Sequence, residues 1–322
     1  MPLLNPPDIL PEAMRFILRA LVASPAREAE EAQIVELVAP DGLPEAMASI
    51  GAVAGSGDDS DDLKTGGKVI ARESLRALRN LEFVEINGSR VAVADRSSQW
   101  RKPTAITALA FSTAMRRAVF EGVLTSSDAP GSDLVAACAL LAAAPDPLRP
   151  FTGFDQPGAT RRFNELKSQH RNSAWSVANL NLERWRSFRR MSPYLGLARL
   201  VRSSKGTGLI ADSSSALAEE LDLPPGRYEA GDFVAHCAAV VPFLDGGPFD
   251  QSRMVVPQDG GDELSPGLSL SLRQLESAGL VRIPPRESDT RTKTLTLGRD
   301  PSAKQPISHL EWVGKREKRS AK

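Results

Sequence analysis

The chain has 322 residues, which is enough for two or three domains of the usual size. Its 40 lysine and arginine residues are balanced by 40 aspartate and glutamate residues. The molecule is therefore not a polycation, and any surface for nucleic acid would require local segregation of charge.

No apolar run reaches the roughly 20 residues that span a bilayer. The N-terminus lacks the basic region and apolar core of an export signal. The two cysteines, Cys138 and Cys237, lie in apolar helical runs and are predicted to be small core residues in a reducing compartment. We therefore expect a cytoplasmic protein with no membrane partner.

Residues 1–100 predict a small unit of three helices and a hairpin. The helices are predicted at residues 8–22, 28–38 and 69–81. Two alternating strands then surround Asn87 and Gly88, a pair that strongly favours a tight hairpin turn. Three helices followed by a hairpin is the order of a winged helix, so we predict an N-terminal winged helix.

The third helix of this unit carries Arg72, Arg76 and Arg79. Their i, i+4 and i+7 spacing places them on one helical face, which in a winged helix can enter a major groove. The same arginines could equally pair with Glu73, Glu82 or acidic residues of the first helix. Both interpretations stay open at this point.

Residues 101–212 are predicted to form a helical middle domain whose last two β-prone runs are compatible with a degenerate winged helix. Residues 161–205 contain eleven lysines and arginines but only two glutamates, and tryptophans and amide side chains are interleaved with them. This composition suits phosphate neutralisation and base stacking. The alternative is a solvated helical face whose counter-charges lie on another domain or on a partner protein. The arginines predicted to contact DNA here are Arg184, Arg186, Arg189 and Arg190.

Residues 225–300 predict a C-terminal winged helix. A helix is expected to begin after the N-cap Ser265 and to stop at Gly279, with leucines at helical spacing between them. Two β-prone runs around a charged loop follow, as in a recognition helix and its wing. The outward side chains, suited to phosphates or base edges, would be Ser269, Arg273, Gln274 and Ser277.

This stretch resembles MarR-type winged-helix proteins over about thirty residues. The matching positions are Leu272, Leu275, Gly279, Leu280 and Val281, followed in the wing by Asp289 and Arg291. The resemblance implies that Arg291 reads a minor groove and that Asp289 supports it. It indicates a type of domain, since many winged helices only hold proteins together.

We identify no catalytic set, metal site or cofactor site in the sequence. His236 and Cys237 are adjacent and point to different faces of a helix, whereas metal ligands must converge. The glycines between residues 51 and 57 lack the features of a phosphate loop, and the acids of residues 58–62 lack those of a calcium loop. We therefore predict a non-enzymatic protein without cofactor or metal.

Three stretches spread over the chain resemble the DpdG family. They are residues 3–21, Tyr194–Ala198 and Val241–Gly247. DpdG proteins are accessory members of bacterial gene clusters that put 7-deazaguanine derivatives into DNA and restrict DNA that lacks them. The resemblance implies a DNA-binding or scaffolding subunit of an anti-phage restriction complex, in which helicase, nuclease or ATPase partners perform the chemistry. It assigns no site residue.

The sequence thus predicts a mainly α protein with small β-hairpins, arranged as tandem winged helix-turn-helix domains. A basic tail at residues 305–322 is predicted to be disordered. We predict that the chain binds double-stranded DNA largely without sequence specificity and also contacts other subunits of a defence complex. Two alternatives stay open: an adaptor that binds proteins through kleisin-type or MukE-like winged helices, and a stand-alone transcriptional regulator.

Overall fold

The computed structural model describes residues 3–4, 9–39, 67–126, 128–152, 161, 164–165, 181–203, 206–250, 262–284, 292–296 and 304–314. The chain divides into two compact units, Met1–Ser132 and Asp133–Lys322. The finer division into domains stays a prediction.

The first unit places helices around a small antiparallel sheet. In chain order its elements are α1 (Pro11–Ala23), β1 (Glu28–Glu30), α2 (Glu31–Val38), α3 (Gly67–Asn80), β2 (Val84–Asn87), β3 (Arg90–Val93) and α4 (Ala108–Thr125), with 3-10 turns at Asp95–Ser97 and Pro103–Ala105 before α4. The central strand β3 pairs with β1 on one side and with β2 on the other.

The second unit repeats the combination of helices and short strands. Its described elements are α5 (Ser132–Ala142), β4 (Phe151–Thr152), α6 (Leu182–Tyr194), β5 (Arg199–Ser203), β6 (Gly206–Ile210), α7 (Ser214–Glu220), β7 (Gly226–Glu229), α8 (Ala230–Val240), α9 (Pro266–Ser277), β8 (Val281–Arg282), β9 (Lys293–Thr296), β10 (Lys304–Ile307) and β11 (His309–Trp312). The predicted combination of helices with small antiparallel sheets is confirmed. None of the described helices has both the length and the apolar composition that a membrane span requires.

Three sheets share one strand order, in which the strand that comes last in the chain lies in the middle. The orders are β1–β3–β2, β4–β6–β5 and β7–β11–β8. Among the described elements, the first strand of the first and last sheets is preceded by a helix and followed by two helices, and the last sheet has β9 and β10 inserted between its second and third strands. The strand order of a small three-stranded sheet is thus repeated along the chain.

The helix that precedes the second strand ends in the same way in each of these sheets. A residue with positive φ reverses the chain, and the next amide donates a hydrogen bond to the carbonyl five residues earlier. The reversing residues are Glu82 (φ 62°), Gly196 (φ 69°) and Gly279 (φ 72°). The bonds are Phe83 N to Leu78 O at 2.8 Å, Leu197 N to Ser192 O at 2.8 Å and Leu280 N to Leu275 O at 3.0 Å. The predicted stop at Gly279 is confirmed.

The core of the first unit lies between α1 and α3. The apolar stripe of α1 is completely buried, as the helical spacing of Met14, Ile17 and Leu21 predicts. It packs against the buried face of α3. The buried hydroxyl of Ser74 on α3 accepts a hydrogen bond from the amide of Leu10 at 3.2 Å, which satisfies one of the free amides at the start of α1.

Two short strands preceding helices were missed in the sequence. Residues 28–30 were predicted as the start of a helix, and this is wrong, because they form β1 and Ala29 pairs with Val91. Residues 226–229 likewise form β7, which pairs with β11. Strands of three or four residues have little local signature and are stabilised by pairing with a distant strand.

The C-terminal hairpin is paired differently from the prediction. The strand β8 was expected to pair with the β-prone run around Leu295, but it pairs with β11 through Trp312 and Val281. The run around Leu295 forms β9 and pairs with β10. Residues 305–312 were therefore wrongly predicted to belong to a disordered tail, because Leu310 and Trp312 are buried in the sheet. Residues 315–322 lie outside the described residues.

Gly267 on α9 allows a close approach to α5. A Cβ atom at Gly267 would lie 2.7 Å from both the Cα and the carbonyl oxygen of Ala142. We expect Gly267→Ala to lower the free energy of unfolding by about 2 kcal/mol, because backbone atoms would have to shift. Urea titration of the full chain measures this change.

Gly231 on α8 provides the matched control. It is exposed, and a Cβ atom there would meet nothing within 4 Å. Gly231→Ala is expected to raise the free energy of unfolding by about 0.5–1 kcal/mol, because alanine loses less backbone entropy in a helix. Equal effects of the two substitutions would contradict the close packing of α5 and α9.

Candidate nucleic-acid interface

The three helices that precede the second strand of each sheet are α3, α6 and α9. When the three helices are aligned on the residue with positive φ that follows each of them, every helix has an arginine six residues before that residue. These arginines are Arg76, Arg190 and Arg273. All three belong to the predicted DNA-binding set. Their surroundings differ, and this difference decides which helix offers a cationic surface.

The helix α3 exposes its arginines to solvent. Arg72, Arg76 and Arg79 are all exposed, while Leu75 and Leu78 on the opposite face are buried. Arg76 Nη1 lies 2.6 Å from Glu73 Oε1, yet the Arg76 side chain stays 61% exposed. Within the described residues the side chains of Arg72 and Arg79 have no partner. The helix therefore offers a row of cations from which phosphates can be contacted.

Arg90 is a further exposed cation of the first unit, and it was not among the residues predicted to bind DNA. It follows the turn of the β2–β3 hairpin and is 65% exposed, with Glu28 and Glu30 at 3.3 and 3.5 Å. The turn itself is Gly88 and Ser89, one residue later than predicted. The sequence did contain a signal for this role of Arg90, because an arginine directly after a tight turn places its charge near the tip of the hairpin.

The four arginines of α6 are less accessible. Arg184, Arg186, Arg189 and Arg190 are all half-buried, and each makes an interaction within the chain. Trp185 between them is 1% exposed and packs on Phe151 and Phe188, with ring centroids 6.3 and 5.8 Å away. The predicted use of tryptophans for base stacking is therefore wrong for Trp185, because it belongs to the core. Trp175 and most of residues 161–180 lie outside the described residues.

The helix α9 is enclosed by the rest of its own unit. Ser269, predicted to point outward, is completely buried, and its hydroxyl accepts a hydrogen bond from the amide of Thr296 at 2.9 Å. This prediction is wrong because the β9–β10 hairpin folds back onto the helix. Arg273 donates to Glu276 at 2.7 Å and also to the side-chain amide of Gln305 on β10. A role for Arg273 in DNA binding stays a prediction.

Gln274, the other predicted reader on α9, takes part in an internal polar network. Its side-chain oxygen accepts a hydrogen bond from Arg199 of β5 at 3.1 Å. The same guanidinium lies 2.8 Å from the carboxylate of Asp212, whose side chain is 1% exposed. Asp212 in turn accepts a bond from the amide of Ser214 at the start of α7. Gln274 thus connects elements of the second unit, and its contact with DNA stays a prediction. Asp289 and Arg291 lie outside the described residues.

Three buried ionisable groups show the effect of desolvation. Burial raises the pKa of the Cys138 and Cys237 thiols, so both stay protonated, and their predicted place in the core is confirmed. Burial also raises the pKa of Asp245 to about 6. Among the residues that the structure describes, no three His, Cys, Asp or Glu side chains converge as metal ligands would.

These features define a protein of helices and small antiparallel sheets in a repeated order, with an exposed row of arginines on α3. A protein-family model described as DpdG-like matches residues 1–290. The chain therefore belongs to the DpdG-like family, as the three short stretches predicted. This membership suggests that the chain takes part in a Dpd modification and defence system. No curated protein and no solved structure matches the chain. The likeness of residues 272–291 to MarR-type proteins stays a prediction.

Proposed function

We propose that this chain is a non-enzymatic subunit of a Dpd defence system that binds double-stranded DNA largely without sequence specificity. The contact is made by α3, which acts as the recognition helix of an N-terminal winged helix. The rest of the chain holds partner proteins of the complex, of the helicase, nuclease or ATPase type, which perform the chemistry.

The order of elements in the first unit supports the winged-helix assignment. The described elements from α1 to β3 run helix, strand, helix, helix, strand and strand, with the last strand in the middle of the sheet, which is the arrangement of a winged helix. In helix-turn-helix proteins the helix at the position of α3 lies in the major groove. The β2–β3 hairpin then corresponds to the wing and brings Arg90 toward the DNA backbone.

The observation that carries the proposal is the exposure of Arg72, Arg76 and Arg79 on one face of α3. Arginine side chains on one helical face can neutralise several phosphates at once, and such contacts need no base sequence. Arg76 also contacts the half-buried carboxylate of Glu73, but its own side chain is 61% exposed, so the guanidinium can reach a phosphate as well.

A second candidate function is that of an adaptor that binds only proteins. It is favoured by the enclosure of α9, whose equivalent arginine contacts Glu276 and Gln305. A unit whose third helix is packed on both sides cannot insert that helix into a groove. In this view the repeated units serve as surfaces for protein partners.

Salt dependence distinguishes the two functions. The full chain is titrated onto a fluorescein-labelled random-sequence duplex of about 20 base pairs, and anisotropy is followed at two salt concentrations. If about four phosphates are neutralised, the affinity is expected to fall about 100-fold between about 50 and 200 mM salt. Unlabelled duplexes of other sequences should compete equally. Absence of binding at the lower salt concentration would reject DNA binding and favour the adaptor.

A further inference from the structure

The first unit contains a groove beside the wing that shares Arg79 with the arginine row of α3 but none of its other arginines. It has a volume of about 490 Å³ and is bordered by the end of α3, by the outer strand β2 and by residues 94–96. Both Val84 and Ile86 of β2 line it, together with charged side chains from all three segments.

The strand β2 is an open edge of its sheet. It pairs with β3 on one side, and no described strand pairs with it on the other. The amide of Ala94 donates to Phe83 O on the β2 side, whereas the amide of Val93 donates to Arg27 O on the β1 side. Because backbone groups alternate along a strand, the amides and carbonyls of Val84 and Ile86 point away from β3 and are free to pair with another strand.

The charges around this edge are mainly acidic. Arg96 is already held by Glu82 at 3.2 Å and by Glu121 at 2.7 Å. Within the described residues, Glu85 and Asp95 have no cationic partner, and both are exposed. Arg79 is the remaining cation of the groove. The carboxylates of Glu85 and Asp95, which are unpaired within the described residues, therefore attract basic side chains to this edge.

We propose that β2 accepts an extended, basic segment of a partner protein as a fourth strand of this sheet. Glu85 and Asn87 are exposed, whereas Val84 is buried and Ile86 half-buried. A strand added beside them alternates in the same way. The partner segment then carries lysine or arginine beside Glu85 and apolar residues beside Ile86. This inference rests on the partner-binding part of the proposed function, and it does not use Arg72 or Arg76 of α3.

The test uses the full chain and a fluorescein-labelled octapeptide of alternating lysine and valine. Ile86→Pro removes an amide that points into the groove and leaves the β2–β3 hydrogen bonds intact, as proline is tolerated on edge strands. We expect Ile86→Pro and Glu85→Lys each to weaken peptide binding by about tenfold or more. Glu12→Lys, which makes the same charge change on α1, is the control and should bind as the wild type does.

Three results would overturn the proposal: no peptide binding by the wild type, unchanged binding by Ile86→Pro, or an equal loss with Glu12→Lys. If Ile86→Pro does not fold, amide hydrogen exchange of the wild type decides. Protection of the Ile86 amide by the peptide supports strand addition, and its absence overturns it. Peptide binding by a variant with Arg72→Ala and Arg76→Ala should be unchanged, because neither side chain lines the groove, so failure here is distinguishable from failure of the DNA proposal.

Discussion

Replacing Arg72 and Arg76 together with alanine is expected to weaken binding of random-sequence duplex DNA by about 100-fold at low salt. Each exposed guanidinium is expected to make one charge-assisted contact to phosphate, so the loss is about tenfold for each side chain. The slope of log affinity against log salt concentration should fall by about two, because two fewer counterions are released. Anisotropy titrations at several salt concentrations measure both quantities.

The matched control is Arg273→Ala, at the equivalent position of α9. Arg273 contacts Glu276 and Gln305, so its removal is expected to leave DNA affinity and the salt slope unchanged. A loss of DNA affinity with Arg273→Ala as large as with the α3 variant would contradict the assignment of the interface to α3. Unchanged binding by the α3 variant would contradict it as well.

Stability of the second unit is expected to depend on the protonation of Asp245. This carboxylate is 7% exposed and accepts hydrogen bonds from both the amide and the hydroxyl of Ser265, the N-cap of α9. Burial raises its pKa from 3.8 to about 6, although the bonds from Ser265 favour the ionised form. The folded chain thus holds a proton at pH values where the unfolded chain has lost it.

The sign of the pH effect follows from this shift. A group whose pKa is raised by folding contributes stability that is present below about pH 3.8 and is lost as the pH rises through about 6. Between pH 4.5 and 7.5 the contribution of Asp245 should fall by about 2 kcal/mol. Asp245→Asn stays neutral throughout. As the pH rises from 4.5 to 7.5, the free energy of unfolding of the wild type should therefore fall relative to that of Asp245→Asn by this amount. Urea titrations of both proteins at the two pH values measure the difference.

If the difference in free energy of unfolding between wild type and Asp245→Asn is the same at both pH values, the carboxylate titrates alike in the folded and unfolded chains. That result would contradict the prediction. Because Asp250 raises the pKa of Asp245 as well, Asp250→Asn is a useful comparison. It should lower the pKa of Asp245 and reduce the pH dependence without removing it, since burial is the larger cause.

Local patterns in the sequence determined much of the secondary structure. The apolar spacing of α1 and α3, the stop at Gly279 and the alternating strands of β2–β3 and β5–β6 all follow from neighbouring residues. These elements depend on helical periodicity, on the backbone freedom of glycine and on tight turns. Each acts over a few residues, so a single sequence is sufficient to predict them.

Strand pairing was decided by the tertiary structure. Whether β8 pairs with β9 or with β11 depends on contacts between residues about thirty positions apart, such as Trp312 with Val281. The strands β1 and β7 likewise exist because β3 and β11 lie beside them. Nothing within three or four residues predicts such a partner.

The availability of the arginines was decided in the same way. The sequence by itself supplied an arginine to both helices, Arg76 to α3 and Arg273 to α9, and the structure places the two at equivalent helical positions. Packing then made them different: α3 leaves Arg76 61% exposed, whereas the fold-back of β10 brings Gln305 to Arg273. Charge and spacing are properties of the chain, but exposure depends on which distant segment covers each helix, and only the folded structure determines that.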